Sequence, residues 1–208
     1  MFKRRRDEVP EPDIEFEPDG RPTARSWAAI ERAARLGHVV SMANFGLGLY
    51  QRGEHAEGLL WLEKAWRSGN AGAGFNLGSL YAEQGDTNRA EIVWQKAADR
   101  GDPDAMVGLV RLALERGDHE GALRWLDPVL DQDAIFPITA VGVAFRDHGD
   151  GPTALRAFSR AIDLGDPYAM QYMAAMLEVQ GRAGDAARLR ARARAVWEAV
   201  EGDDTAFR

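Results

Sequence analysis

The sequence predicts an all-α fold made of stacked pairs of helices, and glycines that recur every 32 residues are the first reason. Self-similarity at a fixed period of this size is typical of repeat proteins, in which each repeat is one supersecondary unit. Two such series run in parallel, and one of them is interrupted only at Asp133, so each repeat is divided into two helices. The series are Gly53, Gly85, Gly117, Gly149 and Gly181, and Gly37, Gly69, Gly101 and Gly165.

Residues 1–25 differ from the rest of the chain and are predicted to form a disordered, charged, proline-rich tail. Four prolines interrupt a dense mixture of charges there, and such a segment has little apolar surface to bury. Within it, Ile14 and Phe16 stand among three acidic residues. Two interpretations are open: a solvated tail, or a short extended segment that docks into a groove of this chain or of a neighbouring copy.

Residues 26–200 form the predicted repeat domain, in which apolar residues recur at the helical spacings of three and four. The domain ends in a C-terminal cap, and a flexible tail is predicted at 201–208. Its parts are a half repeat at 26–36 and full repeats at 37–68, 69–100, 101–132, 133–164 and 165–197.

The links between repeats carry the residues that end one helix and start the next, as in Gly101-Asp102-Pro103. The glycine can adopt the left-handed conformation that closes a helix. The aspartate can accept hydrogen bonds from free N–H groups at the next helix start. Proline fits the first helical turn, where its missing N–H costs nothing. Each repeat is therefore predicted to be two antiparallel helices joined by short loops.

Small and large residues alternate along each repeat in a pattern that resembles the tetratricopeptide repeat, and the link at 96–106 resembles the related Sel-one-like repeats. The resemblance covers residues 27 to about 197. It implies a right-handed α-solenoid whose first helices line a concave face. In the second repeat, the residues that carry it are Leu77, Gly78, Tyr81, Gly85, Ala90, Trp94 and Ala97.

The fourth repeat departs from the pattern and is predicted to be locally irregular. Asp133 replaces the linking glycine, Pro137 falls in the opening turns of a helix, and Pro128 lies inside the preceding helix, which it should kink or end. Asp127, Asp131 and Asp133 crowd this junction, but their spacing does not fit a calcium-binding loop. A solvated junction is the preferred interpretation.

The last repeat places Arg190 and Arg194 where earlier repeats have apolar residues. Charge at those positions is what a terminal cap needs, since its outer face meets water. The alternative is an arginine cluster that binds an acidic partner or nucleic acid. A net charge of −7 favours the cap.

Composition and motifs exclude several classes of function. The chain has no cysteine, no apolar run long enough for a membrane span, and an acidic balance that disfavours nucleic-acid binding. The basic start is followed by acidic residues and prolines, so no leader peptide is expected. The four histidines form no catalytic or metal-binding pattern. We therefore expect a cytoplasmic, non-enzymatic protein without cofactor or metal.

The candidate binding residues are those that the resemblance places on the concave face. An asparagine in the register of Asn44 and Asn76 can pair with both the N–H and the C=O of an extended peptide. Aromatic residues supply pockets, and arginines meet an acidic group. The full set is Asn44, Asn76, Phe75, Ser79, Arg111, Phe136, Arg146, Tyr168 and Tyr172.

Two functional hypotheses follow from the sequence. The first is an adaptor or scaffold that binds a peptide segment or partner protein in the concave groove. The alternative is a self-assembly or autoinhibited module, in which the N-terminal tail docks into its own or a neighbour's groove. The sequence leaves the partner and the oligomeric state open.

Overall fold

The computed structural model describes the backbone of residues 11–203 and the side chains of residues 11–199. Over this range the fold is all-α, and its eleven helices follow one another as antiparallel pairs, which confirms the predicted fold class. The helices are α1 (Ala24–Leu36), α2 (Val39–Gln51), α3 (His55–Arg67), α4 (Ala71–Glu83), α5 (Thr87–Ala98), α6 (Pro103–Glu115), α7 (His119–Leu130), α8 (Ile135–Asp147), α9 (Gly151–Asp163), α10 (Pro167–Val179) and α11 (Ala183–Asp203).

Glycines in the left-handed conformation end the helices, as the sequence predicts. Each such turn also has a backbone hydrogen bond that spans five residues, for example from the Asn70 N–H to the Ala65 carbonyl at 3.1 Å. This geometry satisfies carbonyls that the helix end leaves free. The loop between α7 and α8 has no such glycine. The left-handed helix-ending residues are Gly37, Gly53, Gly69, Gly85, Gly101, Gly117, Gly149, Gly165 and Gly181.

Aspartates begin many of the helices, as predicted. The side chain of Asp86 accepts a hydrogen bond from the Arg89 N–H at 3.1 Å, and Asp118 does the same for Gly121 at 2.8 Å. Asp102 accepts from the Ala105 N–H at 2.8 Å. Each bond satisfies a donor that has no partner within the first turn of a helix.

The chain divides into two compact units, an N-terminal unit that ends at Ala105 and a C-terminal unit that begins at Met106. In both units, a small residue of a first helix faces a large residue of the second helix of the same pair. In the N-terminal unit, a Cβ on Gly78 would lie 2.4 Å from Nε1 of Trp94. In the C-terminal unit, a Cβ on Gly142 would lie 2.6 Å from the Phe158 ring. The predicted close approach of the paired helices is confirmed at these positions.

Of the segment 1–25, for which disorder is predicted, residues 1–10 lie outside the part that the structure describes. Residues 11–23 fold back as a short antiparallel turn in which Phe16 bridges Pro22. The Thr23 N–H donates to the Glu15 carbonyl at 2.9 Å, and the Glu15 N–H donates to Oγ of Ser26 at 2.7 Å. Ile14 packs against the apolar core of the N-terminal unit. One partly buried side chain and local hydrogen bonds thus hold this turn, although the segment has few apolar residues.

The fourth repeat begins at an irregular junction within the C-terminal unit. Pro128 lies inside α7, which continues for two more residues, and Pro137 is the third residue of α8, where its missing N–H is tolerated. Asp127 pairs with Arg156 of α9, and Asp133 pairs with Arg160 at 3.1 Å. Two of the three aspartates at this junction are therefore paired with arginines of the same unit.

Three of the arginines of α11 bind groups of their own unit. Arg190 forms a two-point pair with Glu178 of α10, which holds the pKa of that carboxyl below its usual range. Arg188 pairs with Asp185, and Arg192 donates to the Ile162 carbonyl at 3.4 Å. These contacts fit the predicted cap, because the arginine charges are paired with groups of the same chain.

Candidate functional site

The C-terminal unit contains an open pocket of about 400 Å³ on the first helices of three successive pairs. It is lined by α6, α8 and α10 and by the residue that caps α10, and it brings together four of the predicted binding residues. The lining residues are Arg111, Phe136, Thr139, Ala140, Val143, Asp166, Tyr168 and Tyr172.

Two exposed aromatic rings line the pocket. Phe136 is 77% exposed and Tyr168 is 54% exposed. Each is the second residue of its helix, and the two are one repeat apart, so the repeat itself places them in equivalent positions. The Tyr168 ring meets the edge of Trp197 from α11, with 5.9 Å between the ring centroids. Exposed apolar side chains that lie together at a pocket point to a binding surface more strongly than single ones do.

The buried polar residues of the pocket are Thr139 and Asp166, only 7% and 3% exposed. The Thr139 hydroxyl donates to Oδ2 of Asp166, and the Tyr168 N–H donates to Oδ1 at 2.9 Å. Asp166 thereby caps α10 and ties it to α8. In the part of the chain that the structure describes, no cation pairs with this carboxylate.

The two predicted arginines of the C-terminal unit differ in their availability. Arg146 lies over the Tyr172 ring at 4.9 Å and pairs with Asp147 at 2.7 Å. Tyr172 also stacks on Phe158, with 5.5 Å between the centroids. Arg111 is exposed and, among residues 11–199, forms no ion pair. It is thus the cation of the pocket that is free to meet an acidic ligand.

The other four predicted residues lie in the N-terminal unit, outside this pocket. Asn44 is exposed on α2, whereas Asn76 and Phe75 are half-buried on α4. Ser79 donates its hydroxyl to the Phe75 carbonyl at 3.0 Å, and Nε1 of Trp94 donates to the same oxygen at 3.1 Å. The Ser79 hydroxyl is therefore already used within its own helix. A role for these four residues in binding stays a prediction.

The N-terminal unit has a pocket of its own, of about 940 Å³, between the segment 11–23 and helices α1 and α2. Arg52 lies over the Trp27 ring at 4.7 Å, and Arg21 pairs with Asp19 at 3.2 Å. The carboxylates of Glu17 and Asp19 and two guanidinium groups share this space. Its charges are mixed, so the pocket favours no single sign of ligand.

Each histidine has a structural partner. The Asp150 carboxylate lies 3.3 Å from Nε2 of His119. Burial is the largest single influence on the pKa of Asp150 and raises it, but the hydrogen bonds from Thr153 and the charge of His119 together outweigh burial, so the pKa of Asp150 is lowered. Within the described range, no group of three metal-binding side chains occurs, and no helix is long and apolar enough to cross a bilayer. The other contacts are His38 with Ser41, His55 with Tyr50, and His148 with the Ala144 carbonyl.

Sequence reasoning missed the pair of Thr139 and Asp166. Asp166 is recognisable as a helix cap, because it follows a glycine and precedes a proline. Its burial against Thr139, 27 residues earlier, depends on how α8 and α10 pack. No local pattern in the sequence signals that contact.

Comparison with solved structures shows the fold of tetratricopeptide and Sel1-like repeat proteins, as the sequence pattern indicated. One match is c5321, a protective antigen of uropathogenic Escherichia coli with an SLR fold (TM-score 0.60, 19% identity, 82% of this chain and 41% of that one). Another is a Sel1 repeat protein from Oxalobacter formigenes (TM-score 0.58, 20% identity, 86% of this chain and 75% of that one). A third is the APC/C hetero-tetramer Cut9-Hcn1 (TM-score 0.57, 16% identity, 82% of this chain and 36% of that one).

This chain therefore spans less than half the length of the c5321 chain that it matches. No protein-family model and no curated protein sequence matches it. At identities of 20% or less, the likeness concerns the fold.

Proposed function

We propose that this protein is a non-enzymatic adaptor or scaffold that binds an extended segment of a partner protein along its first helices. The observation that carries the proposal is the pair of exposed rings, Phe136 and Tyr168, beside a preformed pocket. Interface residues that contribute most to affinity are enriched in large side chains that fill pockets. The fold is in keeping with this role, because one neighbour of similar fold was solved as a hetero-tetramer.

Each residue of the pocket has a role in this proposal. Phe136 and Tyr168 contact an apolar or aromatic side chain of the partner. Tyr172, held between neighbours, forms a wall, and Arg111 meets a carboxylate. The bond between Thr139 and Asp166 keeps α8 and α10 in place.

Asn44 and Asn76 are proposed to bind the backbone of the same kind of segment in the N-terminal unit. Their amides carry both a donor and an acceptor, so they can hold an extended chain without reading its side chains. An Asn44→Ala, Asn76→Ala double variant tests this step by partner capture. If the folded double variant captures the same partners equally well, these residues have no role in binding.

The pocket is tested by binding to a library of immobilised peptides. We expect a Phe136→Ala, Tyr168→Ala double variant to lose about tenfold or more in affinity, since each ring contributes on the order of 1 kcal/mol or more at a buried contact. Val179→Ala is the matched control, because Val179 is a 91% exposed apolar residue of the same unit, outside the pocket. Equal binding by the double variant and the control would exclude the pocket.

We further propose that the protein works in the cytoplasm. The absence of cysteine is in keeping with a repeat protein that needs no disulfide bonds. Fractionation of cells that express the tagged chain checks this, and recovery in an extracellular fraction would contradict it.

A further inference from the structure

The segment 11–23 presents one aromatic side chain on a fixed support. Ile14 is turned toward the core of the N-terminal unit, whereas Phe16 is 63% exposed. The Glu17 N–H donates to the Arg21 carbonyl at 2.7 Å, and the bridge from Phe16 to Pro22 lies beside it. The position of Phe16 is therefore set by backbone hydrogen bonds before any partner arrives, which lowers the entropic cost of binding.

The residues that flank Phe16 in the sequence are acidic. Asp13, Glu15 and Glu17 are all exposed, and within the described residues none of their carboxylates forms an ion pair. Phe16 is therefore an exposed aromatic ring flanked by carboxylates that have no ion-pair partner in the described part of the chain.

The pocket of the C-terminal unit has the complementary features. It offers apolar contact from Phe136 and Tyr168 and one cation, Arg111, that has no ion-pair partner in the described part of the chain. Rings prefer offset or edge contacts with other rings, which two exposed aromatic walls can supply. Opposite charges at the rim of an interface speed association and fix its orientation.

We propose that Phe16 of one copy binds in the C-terminal pocket of a second copy, with Glu15 or Glu17 beside Arg111. This inference rests on the proposed function of the pocket and names its ligand. Donor and acceptor are different surfaces, so the contact is heterologous, and repeated contacts form an open chain or a ring.

Two variants, each with one defective surface, test the proposal. Phe16→Ala removes the donor and Arg111→Glu reverses the charge of the pocket; both side chains are exposed, so both variants should fold. Each variant alone is expected to be monomeric in sedimentation velocity, at concentrations where the wild type assembles. The Val179→Ala control should assemble as the wild type does.

The mixture of the two variants gives the sharpest result. Arg111→Glu protein still carries Phe16, and Phe16→Ala protein still has an intact pocket, so one contact can form and none can follow it. We expect a complex of two chains and nothing larger, weakened as salt screens the charges.

A wild type that stays monomeric at all concentrations overturns the proposal, and so does a mixture no heavier than its components. A pocket occupied by Phe16 of its own chain would give that monomeric result. The broader function is tested separately with a synthetic peptide of residues 11–23 and with unrelated acidic aromatic peptides, each added to Phe16→Ala protein. Binding only of the unrelated peptides, abolished by Arg111→Glu, would keep the peptide-binding function and refute self-association.

Discussion

The two units build the same helix pairs but use their aromatic residues differently. In the N-terminal unit, three of the four tryptophans lie against glycines; for example, a Cβ on Gly48 would be 2.3 Å from Trp27, and one on Gly74 would be 2.7 Å from Trp66. Cations cover these rings, as Arg100 does at 3.8 Å from Trp66. In this unit, aromatic side chains mainly hold the helices together.

In the C-terminal unit, aromatic residues are divided between core and surface. Phe145 and Phe158 are fully buried, whereas Phe136 and Tyr168 are mostly exposed beside the pocket. The same repeat pattern thus buries the residues in register between the two helices of a pair and leaves the second residue of α8 and of α10 exposed.

The largest effect should come from truncating a buried ring of the C-terminal unit. Phe158→Ala removes a fully buried side chain that packs on Gly142, and we expect a loss of about 3–5 kcal/mol in unfolding free energy. Phe136→Ala is the matched exposed variant and should change it by less than about 0.5 kcal/mol. Denaturant unfolding measures both. If the two variants lost similar amounts of unfolding free energy, Phe136 would contribute to stability as a core ring does, and the distinction between core and surface rings would be wrong.

A methyl group added in the N-terminal unit should have the next largest effect. A Cβ on Gly46 would lie 2.8 Å from the Gly58 carbonyl oxygen and 2.9 Å from the Leu62 nitrogen, and backbone cannot move aside easily. Gly46→Ala should therefore destabilise by about 1–3 kcal/mol. The control is Gly72→Ala in the exposed first turn of α4, where alanine should stabilise by up to about 1 kcal/mol. Stabilisation by both variants would show that the helices are not in close contact.

The hydrogen bond at the polar base of the pocket should contribute an amount of the same order. Thr139→Val keeps the shape of the side chain but removes the donor to Asp166, and a buried acceptor that loses its partner costs about 1–3 kcal/mol. Thr139→Ser retains the hydroxyl and should recover most of the loss. Thermal unfolding of the three proteins measures this. A valine variant as stable as the wild type would show that the bond is not needed.

The smallest effect concerns pH in the N-terminal unit. Burial raises the pKa of Asp102, and burial together with the charge of Asp102 raises the pKa of Asp104. The two carboxyl groups therefore bind protons more tightly in the folded state than in the unfolded chain. Proton binding stabilises the fold at low pH, and this stabilisation is lost as pH rises through the raised pKa values of Asp102 and Asp104. Asp102→Asn keeps a capping residue without the charge. Its stability relative to the wild type should increase with pH across that window, and a flat difference would refute the assignment.

Much of the fold was predictable because it repeats. The glycine series located nine of the helix-ending turns, and the alternation of Gly78 and Trp94 identified a contact that the structure confirms. These features are local or recur at a fixed spacing, so a single sequence shows the same helix-ending glycine and the same pairing of small and large residues several times.

The remaining features could not be predicted because each depends on a single contact. The turn at residues 11–23 involves the packing of Ile14 on the core and a hydrogen bond to Ser26, and amino-acid composition alone does not reveal these contacts. The link between Thr139 and Asp166 joins two helices at one repeat only. Among the predicted binding residues, the aromatic ones of the C-terminal unit come together in the pocket, whereas the hydroxyl of Ser79 is used within its own helix.

The loop between α7 and α8 has a consequence for the order of folding. Where other turns close through a local glycine, the end of α7 is held by Arg160: its Nε donates to the Leu130 carbonyl at 3.1 Å, and its guanidinium pairs with Asp133. The arginine is about 30 residues later in the chain, and such a contact closes a longer loop than a local turn does. During synthesis on the ribosome, we expect the other turns to close as soon as they emerge, whereas the contacts of Arg160 with this loop can form only after α9 has been made.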